Sequence, residues 1–214
     1  MSHKKVIIPA ICILLTVTIS VLGCGNSEDK DILKGDFRLA MLQFYRDIAE
    51  HIKVLDLPPS AYATFYFNRG LDYEDIGEYD KAIACYTEAI ELDPEDNLYY
   101  HFRGHAYEDK GEYDKAIADY TKAIELEPKY AHVYYKARAH TYESKGEYDK
   151  AIADYTTIIE LKPENAWAYY DRGDAYNSKG EYDKAASDYE KVIQIATDPE
   201  LVEDARQALE AIGK

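Results

Sequence analysis

The stretch KGEYDKAIADYTKAIELEP, residues 110–128, decides the reading because the chain carries it almost four times. It returns as IGEYDKAIACYTEAIELDP at 76–94, as KGEYDKAIADYTTIIELKP at 145–163 and, with a looser ending, as KGEYDKAASDYEKVIQIAT at 179–197. Gly77, Gly111, Gly146 and Gly180 lead the copies, so the steps are 34, 35 and 34 residues. A period of that length sets the architecture before any local motif does.

One unit, 97–130, shows what repeats. Tyr100, Gly104 and Tyr107 fall on one helical face, and Gly111 breaks the helix in a short turn. Tyr113, Ala116, Ile117, Tyr120, Ala123, Ile124 and Leu126 then form a second apolar stripe, which Pro128 stops. Each unit is therefore expected to be two antiparallel helices, with Gly104 opposite Ala116 so that the axes come close. Neither helix buries its stripe alone, so the units must stack.

These residues resemble the tetratricopeptide repeat. Its small–aromatic–small–aromatic–small–proline framework falls on Gly70, Tyr73, Ala82, Tyr86, Ala89 and Pro94, and again on Gly104, Tyr107, Ala116, Tyr120, Ala123 and Pro128. The third unit has Ala139, Tyr142, Ala151, Tyr155, a bulkier Ile158 and Pro163. The fourth has Gly173, Tyr176, Ala185, Tyr189 and Val192, with its proline displaced to Pro199. The resemblance implies an all-α, right-handed solenoid of units 63–96, 97–130, 131–165 and 166–199, whose first helices line a concave groove for peptides or protein segments. Residues 199–214 read as a capping helix. Residues 36–60 read as an N-terminal helix or degenerate half-repeat, with Phe37, Met41, Phe44, Ile48, Ile52 and Leu55 inward.

The chain's start is of another kind. A basic MSHKK precedes the uncharged, apolar VIIPAICILLTVTISVL at 6–22 and the polar GCGNSEDK. That is the layout of a secretory signal, with an uncleaved anchor as the alternative. Val21–Cys24 resembles the bacterial lipobox, apart from Leu22, which implies a signal over 1–23, acylation of Cys24 and a polar tether over 24–35. Gly25 gives no inner-membrane retention signal, so a periplasm-facing solenoid on the outer membrane is the expected place. Of the remaining cysteines, Cys12 lies in the apolar stretch and Cys85 stands alone, so packing rather than a disulfide must hold the mature fold.

Composition limits the chemistry. The chain has 41 Asp and Glu against 25 Lys and Arg, a net charge of −16, which repels nucleic-acid backbones. No phosphate loop, zinc-protease motif, paired cysteines or serine beside a histidine occurs, so neither an enzyme nor a cofactor is expected. Arg69, Arg103, Arg138 and Arg172 are equivalent, and Asp119, Asp154 and Asp188 precede three framework tyrosines. Pairs Arg103–Asp119, Arg138–Asp154 and Arg172–Asp188 are expected within units, with Cys85 replacing the acid in the first.

The groove implied by the resemblance is lined by Phe67, Leu71 and Glu74, by His101, His105 and Glu108, by Lys136, His140 and Glu143, and by Trp167, Tyr170, Asp174 and Asn177. Its polar and aromatic lining suits a neutral or basic peptide segment. His101, His105 and His140, with a glutamate one turn on, also admit a divalent metal or a small ligand, and histidines among carboxylates admit a response near neutral pH.

Overall fold

The computed structural model describes residues 58–213. The signal-like stretch, Cys24, the tether and the 36–57 part of the amphipathic segment lie outside the described residues. Nine α-helices follow in the described part. They are α1 (Pro59–Asp75) and α2 (Tyr79–Leu92), α3 (Asn97–Asp109) and α4 (Tyr113–Leu126), α5 (Ala131–Ser144) and α6 (Tyr148–Leu161), α7 (Ala166–Ser178) and α8 (Tyr182–Ile195), and the closing α9 (Pro199–Ala211). Extensive packing joins consecutive helices only, which makes an open stack of hairpins. Pro59 and Ser60 do not close the preceding segment, as the sequence suggests. They open α1, because proline's fixed φ and missing N–H suit a first turn.

The punctuation has local causes. Gly111 sits at φ 73°, a left-handed conformation that other residues avoid. It lets its own N–H reach Glu108 O at 2.8 Å and the Glu112 N–H reach Tyr107 O at 2.8 Å, which satisfies the end of α3. Asp93 and Glu127, with ψ at 85° and 75°, leave the helical region before Pro94 and Pro128, because a following proline disfavours it. Asp96 then caps α3 by accepting from the Leu98 N–H at 2.9 Å, and Asp198 caps α9 through the Glu200 N–H at 3.0 Å. The 35-residue step is also located. Eleven residues separate Pro128 from Ala139, against ten from Pro94 to Gly104, and the extra one forms a 3-10 turn at Pro128–Tyr130.

Tyr86, Tyr120, Tyr155 and Tyr189 are the largest fully buried side chains, each 0% exposed. Three of them fill notches over glycines. A Cβ on Gly104 would lie 2.7 Å from Tyr120 Cε1, and one on Gly70 only 2.4 Å from Tyr86 Cε1. The partner of Gly104 across the hairpin is thus the tyrosine ring rather than Ala116. The glycine makes room for an aromatic side chain.

A polar clamp ties units two, three and four each to the one before it. Arg103 donates from Nε and Nη2 to the two carboxylate oxygens of Asp119, both at 2.8 Å, and from Nη1 to Thr87 Oγ1 at 3.1 Å. Arg138 holds Asp154 and Thr121, and Arg172 holds Asp188 and Thr156, in the same way. The three in-unit pairs are those the spacing predicts. The threonine from the preceding unit is an addition. Each aspartate is buried, and a fork-to-fork pair with every oxygen bonded is the arrangement in which such burial is tolerated. Lys110 to Asp80, Lys145 to Asp114 and Lys179 to Asp149 repeat between units on the exposed ridge, where each pair contributes little. Leu201 and Ala205 of α9 cover Tyr189 and Val192 at the end of the stack.

Gly104→Val inserts a branched side chain into the tyrosine notch and is expected to destabilise the protein by about 1–3 kcal/mol. Urea denaturation measures it, and a variant as stable as the parent would contradict the notch.

Candidate protein-binding groove

The first helices of successive units meet side by side. Phe67 of α1 packs on Tyr99 and Phe102 of α3 with ring centroids 5.2 Å apart. The Tyr134 hydroxyl of α5 donates to Asn97 of α3, and Lys136 of α5 pairs with Asp171 of α7 at 3.0 Å. Their faces turned from the second helices form one continuous wall.

The floor of that wall is polar for an unexpected reason. Each of the four fully buried tyrosines passes its hydroxyl between the helices and donates to a groove carboxylate. Tyr86 bonds Glu74, Tyr120 bonds Glu108 at 2.9 Å, Tyr155 bonds Glu143 at 2.8 Å and Tyr189 bonds Asp174 at 2.7 Å. The first three acids stand twelve residues before their tyrosine. In the fourth unit Asn177 fills that place, and Asp174, one turn earlier, takes the bond. Burial raises the pKa of Glu74, Glu143 and Asp174 despite these bonds, and neighbouring acids add to the rise.

The histidines are quieter than their sequence suggests. His101 and His105 meet edge to face at 4.6 Å, and His101 also packs on Phe102, Tyr120 and Tyr134. Burial, and then the charge of His105, pulls the His101 pKa down to about 4. Burial lowers His105 as well, against the opposing pull of Glu108 and Asp109. Both imidazoles therefore favour the neutral form near pH 7. His140 has its Nδ1 3.6 Å from Glu143 of its own unit and its Nε2 4.0 Å from Asp171 of the next. Among the described residues no group of three or more His, Cys, Asp or Glu is placed to hold a metal ion. The three histidines do not converge.

The remaining lining residues divide by exposure. Phe67, Leu71 and Tyr170 are half-buried and packed into the helix layer, so they support the wall more than they face a ligand. Asn177 is half-buried near the end of α7. Lys136 lies 5.7 Å above the Trp167 ring while pairing with Asp171, and Trp167 itself is 47% exposed. Two lining residues escaped the sequence reading: Leu98 and Val133, 44% and 46% exposed. They are the register equivalents of Trp167, at steps of 35 and 34 residues, and that register is the signal that identifies them. Among the described residues, two cavities lie between successive units. One of about 590 Å³ is bounded by Leu98, His101, Phe102, Tyr130, Val133 and Tyr134. The next, of about 150 Å³, lies among Val133, Lys136, Ile158, Trp167 and Asp171. Tyr130, from the extra turn, stands 51% exposed at the larger one.

Tetratricopeptide-repeat family models match residues 63–96, 98–130 and 136–200. The chain belongs to the tetratricopeptide repeat family. Among solved structures it is similar to a crystal structure of MamA, at 29% identity and a TM-score of 0.64, covering 86% of this chain and 99% of that one. A second MamA structure matches at 28% identity and a TM-score of 0.65, over 84% and 90% of the two chains. The tetratricopeptide domain of Arabidopsis OM64 matches at 26% and a TM-score of 0.51, over 56% of this chain and 98% of that one. No curated protein sequence matches it. Repeat, fold and groove together support a protein-interaction scaffold.

Glu143→Gln tests the groove electrostatics. Because the folded pKa of Glu143 lies above its ordinary value of 4.5, ionising it costs stability. That cost does not arise below the unfolded pKa and is complete once pH has risen through the folded one. The amide still accepts from Tyr155. The variant is expected to be more stable than the parent at neutral pH, with the gap closing as pH falls toward 4.5 in denaturation curves. A gap that persists unchanged into acid would refute the assignment.

Proposed function

We propose that this protein is an adaptor that holds an extended, neutral or basic protein segment along its groove while tethered to a membrane of the bacterial cell envelope through Cys24. The observation that carries the binding part is the row Leu98, Val133 and Trp167. These are three exposed apolar side chains in consecutive units, each beside an inter-unit cavity. Exposed apolar surface with a polar rim is the usual signature of a docking site. The carboxylates of Glu74, Glu108, Glu143 and Asp174 lie along the same wall and favour a cationic or uncharged partner. Lys136 is already engaged by Asp171 and Trp167, which leaves little in the groove to grip a terminal carboxylate.

The tether rests on the sequence pattern before Cys24, with the outer membrane as the favoured location. Among the described residues no helix is long and apolar enough to cross a membrane. Two measurements test the proposal. A Val133→Asp/Trp167→Ala double variant should keep its helical circular dichroism yet lose its captured partner by about tenfold or more. Retention at parental levels would remove the groove reading. Mass spectrometry of the membrane fraction should find acyl chains on an N-terminal Cys24, and a chain still beginning at Met1 would remove the lipid tether.

A further inference from the structure

The in-unit Arg–Asp pair of units two to four has no counterpart in unit one. Arg69 stands where Arg103, Arg138 and Arg172 stand, but Cys85 replaces the aspartate. Burial pushes the Cys85 thiol up to about 11, although Arg69 pulls the other way, so it supplies no countercharge near pH 7. Arg69 donates from Nη2 to the Tyr73 hydroxyl at 3.2 Å, and its Nε is buried with no hydrogen-bond partner among the described residues. In Arg103 those same two nitrogens each hold an Asp119 oxygen at 2.8 Å. Beside the Arg69 guanidinium lies a cavity of about 320 Å³, walled by Tyr66, Tyr73, Ala84 and Cys85, with Lys81 and Glu88 among its lining residues. It is not part of the groove. Arg69 is two positions from both Phe67 and Leu71 and so points from the opposite side of α1.

We propose that this cavity binds a small organic monocarboxylate. Its carboxylate takes on Arg69 the place that Asp119 takes on Arg103, and its apolar tail lies against Tyr66, Tyr73 and Ala84. The planar fork of a guanidinium matches a carboxylate in two parallel bonds, a geometry the protein itself displays three times. Glu88 in the lining and the −16 charge of the chain disfavour dianions and phosphate. Nothing in this assignment depends on the groove.

The test titrates benzoate, acetate and phosphate, at constant ionic strength, into the full-length chain while following the Arg69 Nε–H resonance, assigned by its loss in Arg69→Leu. Benzoate is expected to saturate with a Kd of about a millimolar, acetate more weakly, and phosphate not at all. Cys85→Asp keeps the assignment falsifiable without relying on a variant that fails to fold. It restores the aspartate found in the other three units, should raise the melting temperature, and is expected to weaken benzoate binding by at least about tenfold. Absence of a saturable benzoate shift, equal benzoate affinity in Cys85→Asp, or a phosphate response matching that of benzoate would each overturn the proposal.

Discussion

The structure depends on one side chain doing two jobs in every unit. The ring of Tyr86, Tyr120, Tyr155 or Tyr189 closes its hairpin, lying over Gly70, Gly104 and Gly173 so closely that a methyl on the glycine would overlap it. Its hydroxyl cannot be left without a partner in that interior, because an unsatisfied buried polar group is expensive. It therefore emerges on the far side, where a carboxylate accepts its hydrogen bond. Packing inside each unit thus dictates which chemistry appears on the groove floor. The acids there are anchored from beneath by the tyrosine hydroxyls.

Between units a second constraint acts. An arginine fixed by its own aspartate extends one further bond to the threonine of the unit before it. Tyrosine rings flank the guanidinium, with Tyr100 and Tyr107 at 5.7 and 5.9 Å from Arg103. The stack is therefore held by nearest-neighbour terms, some apolar and some polar, and not by one shared centre. A surface built this way can change one unit's lining without disturbing the next. Unit four does so by using Asp174 where its predecessors use a glutamate one turn later.

How much of this was legible in the sequence follows from what repeats. The period located both helices of every unit, the glycine turns and the three Arg–Asp pairs, because all of these lie within one copy. The threonine third of the clamp was hidden because its partner sits in a different copy, and no within-unit pattern points there. The tyrosine–carboxylate bonds were hidden because an aromatic at a core position carries no sign of where its hydroxyl emerges. The histidines misled for a related reason. Their spacing does put His101 and His105 on one face, but how far packing desolvates His101 is a property of its neighbours. Leu98 and Val133 were visible through their register with Trp167, yet aliphatic residues near a helix start look like core until their exposure is known. The lipobox-like start and most of the 36–60 segment fall on residues outside the described part.

The clamp also carries a direction. Thr87, Thr121 and Thr156 each receive the arginine of the following unit, whereas the matching place in unit four is the exposed Glu190. A hydroxyl is supplied only where another hairpin follows, and the series halts where α9 takes over. A hairpin spliced between the second and third units would find matching threonine connectors on both sides. One appended after the fourth would meet Glu190, whose carboxylate accepts from a guanidinium at least as well as a hydroxyl does, so it is α9, and not the joint, that closes the stack.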